Sequence, residues 1–286
     1  MAGWWLLHVT EGTYLGPRFV AWLYDITAGR YDQIKDLRQT EEAIDLGVPL
    51  IERLIDRGAD GPDALVLDVA TGTGRLPLAL LRLSLFGGTV VGVDLAPRML
   101  AIAAEKLTAA GLADRAPLLH HAAAPLPFAD ASFDAVCLLE ALEFLPDADR
   151  AIAELYRVLR PGGTVLLTQR IDWQARLMPG HAESREDLRD RLEGHGFEAI
   201  MQQRWTTLYD LVWALRPVSV GSEGTVREGA VRSLSAPKGL PRWAQGLRCS
   251  GCGADDMTSA EPSSLVCAAC GQAWRLRDGM WRVGRA

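Results

Sequence analysis

A chain of 286 residues has room for one large domain and a small companion. With 49% hydrophobic and 23% charged residues it can bury a core, yet no run approaches the roughly 18 apolar residues of a membrane span, so no membrane partner is expected. The net charge of −6 is uneven: residues 218–286 hold nine Lys/Arg and six Asp/Glu, a net +3, which leaves −9 on residues 1–217 and argues against a broad nucleic-acid surface there. The start, Met1-Ala2-Gly3-Trp4-Trp5-Leu6-Leu7-His8, lacks the basic region and cleavage site of a signal peptide, so a cytoplasmic location is expected. Residues 1–40 read as a helical, aromatic segment around Phe19-Val20-Ala21-Trp22-Leu23-Tyr24 and Tyr31. A helix over about 41–57 follows, closed by Gly58 and Asp60-Gly61-Pro62.

The next segment, Val66-Leu67-Asp68-Val69-Ala70-Thr71-Gly72-Thr73-Gly74, is an apolar strand with an acid near its end that runs into a glycine turn. Glycines there let the backbone turn sharply and approach a ligand too closely for any Cβ. A second strand, Thr89–Val93, ends in Asp94, twenty residues past Gly74, an offset that suits a carboxylate gripping ribose hydroxyls at the tip of the neighbouring strand. A dinucleotide fingerprint is disfavoured, because its third glycine would fall at Pro77. A helix from Pro97 to Gly111 precedes a third strand ending near His120 and His121, and a fourth strand spans Ala135–Leu139. A helix over about 147–159 is stopped by Pro161-Gly162-Gly163, which admits the strand Thr164–Thr168. After a helix near Ser184–Gly194, apolar stretches at 197–203 and 206–215 complete seven strands, the last pair antiparallel. This alternation predicts an α/β fold, a Rossmann-like doubly wound sheet with helices on both faces.

In order, Asp68 to Gly74, Val91-Gly92-Val93-Asp94, Pro125-Leu126-Pro127-Phe128, Ser132-Phe133-Asp134-Ala135-Val136 and Leu155 to Gly163 resemble the motifs of class I S-adenosylmethionine-dependent methyltransferases, specifically the type 11 methyltransferase domain. The resemblance covers roughly residues 40–217. It implies S-adenosyl-L-methionine as cofactor, with Asp68, Gly72 and Gly74 around the methionine moiety, Asp94 on the ribose, and Leu95 and Met99 flanking the adenine. Two departures stand out. Ala70 replaces the family's first motif glycine, and Ala122 falls where many relatives carry an acid for the adenine amino group, so a backbone contact from Ala122 or Ala123 is expected instead. Leu139-Glu140-Ala141-Leu142-Glu143-Phe144-Leu145-Pro146 resembles the Glu-x-x-Glu-His stretch of several small-molecule methyltransferases, with Phe144 in place of the histidine. Glu143 is therefore the candidate to orient a substrate or accept its proton; equally, Glu140 could cap a helix and Phe144 could be core. A histidine at 120 or 121 could act as a base near neutrality, although an inert role is favoured. No Asn-Pro-Pro-Tyr type tetrapeptide follows the fourth strand, which disfavours methylation of an adenine or glutamine amino group. The family often covers its cofactor with a segment placed like residues 1–40, while a simpler reading packs those rings on the core.

Residues 218–246 read as a linker between the methyltransferase domain, 41–217, and a cysteine module, 247–286. In that module Cys249-x2-Cys252 and Cys267-x2-Cys270 are fourteen residues apart, close to four-cysteine zinc spacing. Four thiolates make a closed tetrahedral site, so the Zn2+ is expected to be structural; two disulfides are the rival, and Cys137 on an apolar strand is expected to be core. The module resembles small zinc-ribbon proteins that partner and activate tRNA, rRNA and protein methyltransferases. Together these features lead to an enzyme that methylates a small-molecule acceptor, ranked ahead of RNA or protein. A non-catalytic cofactor-binding or interaction protein is the remaining alternative.

Overall fold

The strand β1 (Leu65–Val69) is buried at every position, as expected for a parallel strand covered on both faces. The computed structural model describes residues 10–34, 39–56, 64–173, 175–218 and 240–284. β1 pairs in parallel with β2 (Thr89–Asp94) on one side and with β4 (Phe133–Leu138) on the other. β2 continues to β3 (Leu118–His120), and β4 to β5 (Leu159–Arg170), after which β7 (Tyr209–Leu215) and β6 (Glu198–Arg204) close the edge antiparallel. Strand order thus reverses between β1 and β4, and ligands of open α/β sheets bind in the crevice at the carboxyl ends beside such a switch point.

The alternation of side chains builds two cores. Leu65, Leu67 and Val69 face α5 (Ala148–Val158) and α6 (Arg185–Gly194), while Val66 faces α2 (Val48–Asp56), α3 (Arg75–Leu81) and α4 (Pro97–Ala109). Cys137 is buried in the second core. Both helices of the first face start on side-chain caps: Asp147 accepts from Arg150 N at 2.9 Å, and Ser184 forms a capping box with Asp187. Preceding the sheet, α1 (Pro17–Thr27) starts on a proline, which suits the first helical turn.

Two features differ from the sequence reading. Pro161-Gly162-Gly163 does not separate helix from strand: β5 begins at Leu159 and carries these residues as an irregular first half, with the register against β4 shifting between Phe133 and Ala135. More consequential, the expected seven-stranded sheet is, among the described residues, part of an eleven-stranded one. The cysteine module folds as β8 (Met257–Glu261), β9 (Ser264–Cys267), β10 (Ala273–Arg277) and β11 (Met280–Gly284), all antiparallel to their neighbours within it. β11 then pairs in parallel with β3 through Trp281 and Leu119. An open strand edge exposes unpaired N–H and C=O groups, and the ribbon covers the one that β3 would leave.

Residues 240–246, read as linker, belong to this docking. Leu240, Trp243 and Ala244 are buried, and the Trp243 and Trp281 rings lie 5.5 Å apart. Ala129 N donates to Gly246 O at 2.7 Å and Arg248 N to Pro127 O at 2.9 Å. Each buried indole removes roughly 150–250 Å² from water, enough to anchor a small module. The rest of the linker, 219–239, lies outside the described residues. No helix among the described residues is long and apolar enough to cross a membrane.

Candidate functional site

At the carboxyl ends of β1, β2, β3 and β4 lies a cavity of about 270 Å³. Its floor is the turn after β1. Ala70 and Gly72 both hold left-handed backbone there, at φ 57° and 54°, and both line the cavity. A Cβ placed on Gly72 would meet nothing within 4 Å, so the backbone faces open space. Gly72 N donates to Asp94 Oδ2 at 2.8 Å, and Ala96 N donates to Oδ1 at 2.8 Å. Asp94 therefore stitches the β1 turn to the start of α4. Burial raises its pKa, partly offset by these backbone N–H groups. Leu95 and Met99 line the same wall, and Ala122 and Ala123 line the wall beyond β3.

Three predicted positions lie elsewhere. Gly74 lines neither cavity; a Cβ there would stand 3.2 Å from Ala103 Cβ, so its glycine lets α3 pack against α4. Asp68 is buried beneath the turn, where Thr71 Oγ1 donates to it at 2.6 Å and burial pushes its pKa up to about 7. It lines a second, smaller cavity of about 30 Å³, shared with Ala70, Gly72, Tyr31, Arg75 and Glu140. Arg75, which lines it too, donates to Glu140 of the same cavity at 2.6 Å and to Glu42 outside it at 2.5 Å.

Glu143 occupies a short helical turn, Leu142–Phe144, whose neighbours Ala141 and Phe144 line the main cavity while Glu143 does not. Its carboxyl is buried and accepts from Tyr209 Oη at 2.7 Å; burial raises its pKa to about 7, with nearby Arg170 opposing. Glu140, from the same stretch, does reach the cavity and ties it to Arg75. Of the two histidines, His120 Nε2 donates to Leu95 O at 3.0 Å on the outside of the wall, whereas His121 lines the cavity.

The roof is α1. Pro17, Val20, Ala21 and Tyr24 recur at helical spacing and face the cavity, and Tyr31 joins them. That stripe is legible in the sequence, although only Val20, Ala21, Tyr24 and Tyr31 drew notice there. Trp22 is 53% exposed, whereas Tyr24 and Tyr31 pack against the buried Ala28, Ala96 and Met99. Polar ties hold the roof down: Asp32 accepts from Thr73 Oγ1 at 2.6 Å and pairs with Lys106 at 2.7 Å, and Arg98 N donates to Asp25 at 2.9 Å.

In the ribbon, the Sγ atoms of Cys249, Cys252, Cys267 and Cys270 lie within 4.8 Å of one another. Cys249 and Cys270 are 3.5 Å apart and Cys252 and Cys267 3.6 Å, far beyond a disulfide bond. A tetrahedron with Zn–S of about 2.3 Å has edges near 3.8 Å, so the four thiols fit zinc and leave no open position. Burial opposes ionisation of Cys249, but the N–H groups of Cys252 and Gly251, together with the neighbouring thiols of Cys270 and Cys252, bring the pKa down to about 7. Such pre-formed N–H donors suit a metal-bound thiolate.

Residues 67–167 match the family model of a methyltransferase domain. This stretch is similar to that family over about a third of the chain. A demethylmenaquinone methyltransferase of Thermus thermophilus is 39% identical over 154 residues, covering 51% of this chain and 64% of that protein. A ubiquinone/menaquinone biosynthesis C-methyltransferase UbiE of Hahella chejuensis is 35% identical over 152 residues, covering 52% of this chain and 59% of the relative. The chain thus spans about six-tenths of the length of these relatives. Among solved structures, the [4+2]-cyclase SpnF aligns with a TM-score of 0.51 at 23% identity, over 60% of this chain and 81% of that one. A chain from the complex containing the Haloferax volcanii Trm112 methyltransferase activator aligns at 0.51 and 20% identity, over 68% of this chain and 97% of that one. These two share the fold; a cyclase among them is a reminder that function is argued from the site.

Proposed function

We propose that the chain is an S-adenosylmethionine-dependent methyltransferase that methylates a small, largely apolar acceptor by in-line displacement. One observation carries the reading: the open backbone at Gly72 and the anchored Asp94 face the same roofed cavity as the apolar stripe of α1. Bound S-adenosylmethionine supplies a methyl group already activated by its sulfonium, so the protein's task is to position two reactants and exclude water. In this reading Asp94 takes the ribose, Leu95 and Met99 flank the adenine, and Ala70 and Gly72 leave room for the methionine moiety beside Asp68 and Glu140, which the shared lining of the cavities supports. Tyr24, Leu139 and Phe144 give the acceptor an apolar wall, while Asp147 and Arg150 supply a polar end. Glu143, turned toward Tyr209, supports this wall from behind. The names of the aligned relatives point to a quinone-type ring as the acceptor class and to carbon as the atom methylated.

The test incubates zinc-loaded protein with methyl-labelled cofactor and a cell extract, then separates solvent-extractable, RNA and protein fractions. Label in the extractable fraction, absent with Asp94→Ala, is the expected result. Label in RNA or protein would instead make the ribbon a module that handles or activates a macromolecular substrate. No cofactor binding at all would favour a non-catalytic protein.

A further inference from the structure

The wall beyond β3 runs from His121 through Ala122, Ala123 and Ala124, and all four line the same cavity as Leu95 and Met99. An adenine amino group donates hydrogen bonds and needs an acceptor on such a wall. The three alanines offer none from their side chains. The Ala122 carbonyl already accepts from His121 Nδ1 at 3.0 Å. A carbonyl can only accept, so the proton of the neutral ring is on Nδ1 and the lone pair is on Nε2. Burial lowers the His121 pKa and so favours this neutral form near pH 7. The residue is anchored at its backbone, where His121 N donates to Asp94 O at 3.0 Å.

The ring is also held from outside the catalytic sheet. Trp274 of β10, buried in the ribbon, lies with its ring 5.8 Å from the His121 ring at 33°. Trp274 Nε1 is buried with no acceptor among the described residues. An unpaired buried donor is unfavourable, so what this position gains from the indole is its ring surface.

We infer that His121 reads the adenine amino group of the cofactor, accepting its N–H at Nε2, and that Trp274 of the zinc ribbon holds the imidazole in position for it. This inference rests on the cofactor reading above and assigns its missing adenine acceptor. It makes the ribbon a positioning part of the cofactor site, whatever the methyl acceptor is.

Calorimetric titration of the zinc-loaded chain with S-adenosylhomocysteine and with its inosine counterpart tests both parts. The inosine compound replaces the amino donor with a carbonyl, which would face the Nε2 lone pair. The parent is expected to prefer the adenine compound by roughly tenfold or more. His121→Phe keeps a ring against Trp274 but removes the lone pair, and should cut that preference to within about twofold. Trp274→Leu should weaken the preference as well, and Trp274→Phe should retain it. Equal parental affinity for the two compounds, or an undiminished preference in His121→Phe, overturns the assignment of His121. An undiminished preference in Trp274→Leu overturns the role of the ribbon. A parent that binds neither compound overturns the cofactor reading itself, and this inference with it.

Discussion

The two walls of the cavity are built in opposite ways. The wall from β1 and β2 is local: Asp94 accepts from Gly72 and Ala96, and the helices that follow each strand pack directly behind it. The wall beyond β3 is borrowed. β3 is three residues long, its outer edge is occupied by β11, and the ring behind His121 comes from Trp274, more than 150 residues later in the chain. A cavity wall can thus lean on a module whose four cysteines fit a structural metal. The difference predicts that damage to the ribbon reaches the cofactor.

The largest effect should come from breaking the ribbon. Cys267→Ser removes a buried ligand, and a four-cysteine site contributes folding free energy directly. We expect loss of stoichiometric zinc, a stability loss of about 3 kcal/mol or more, and weaker S-adenosylhomocysteine binding, read by metal analysis, thermal melting and calorimetry. Intact binding with zinc gone would separate the two walls.

Breaking the local wall should leave the ribbon untouched. Asp94→Ala removes the acceptor of two backbone N–H groups as well as the proposed ribose contact, and should weaken cofactor binding by roughly a hundredfold. Zinc content should stay at one per chain. Zinc loss in this variant would mean that the coupling runs in both directions.

These two sites differed in how much of them could be read beforehand. The turn at 70–74 and the acid at 94 are close in sequence and follow strand ends, so periodicity and spacing place them. Gly74 was expected around the methionine moiety; it lines neither cavity and packs 3.2 Å from Ala103 through the place a Cβ would take, and sequence does not tell which side of a turn a missing Cβ would face. Glu143 was named from its stretch, but a short helical turn sends alternate side chains in different directions, and Phe144 took the cavity. The pairing of β11 with β3 was not legible at all. Edge pairing depends on backbone groups that every residue carries, so no side-chain pattern announces it. Trp243 and Trp281, buried at the docking face, do not announce it either, because indoles of that kind are common in any core.

Glu143 gives a pH test of its placement. Its pKa is raised from an ordinary 4.5 to about 7, so folding favours the protonated acid. The associated stability is fully present below about pH 4.5 and is lost as pH rises through about 7. Glu143→Gln keeps an acceptor for Tyr209 and cannot ionise. It should match the parent near pH 4.5 and exceed its stability at pH 8 by on the order of 3 kcal/mol, measured by denaturant titration. Its methyl transfer should remain within about threefold of the parent. A hundredfold fall in kcat with an intact fold would return Glu143 to the chemistry.

The smallest effect belongs to Ala70, a non-glycine residue at φ 57°. Ala70→Gly relieves the strain of a left-handed alanine and should raise stability by about 1 kcal/mol in the same assay. It should leave zinc content and the adenine preference unchanged.

The most direct test of the account follows one thermal melt of the zinc-loaded chain with two probes, a zinc-release dye and binding of S-adenosylhomocysteine. If β11 and Trp274 make the ribbon part of the cofactor wall, zinc release and loss of binding will coincide in a single transition. Zinc released in an earlier transition, with binding intact until the sheet melts, would contradict it.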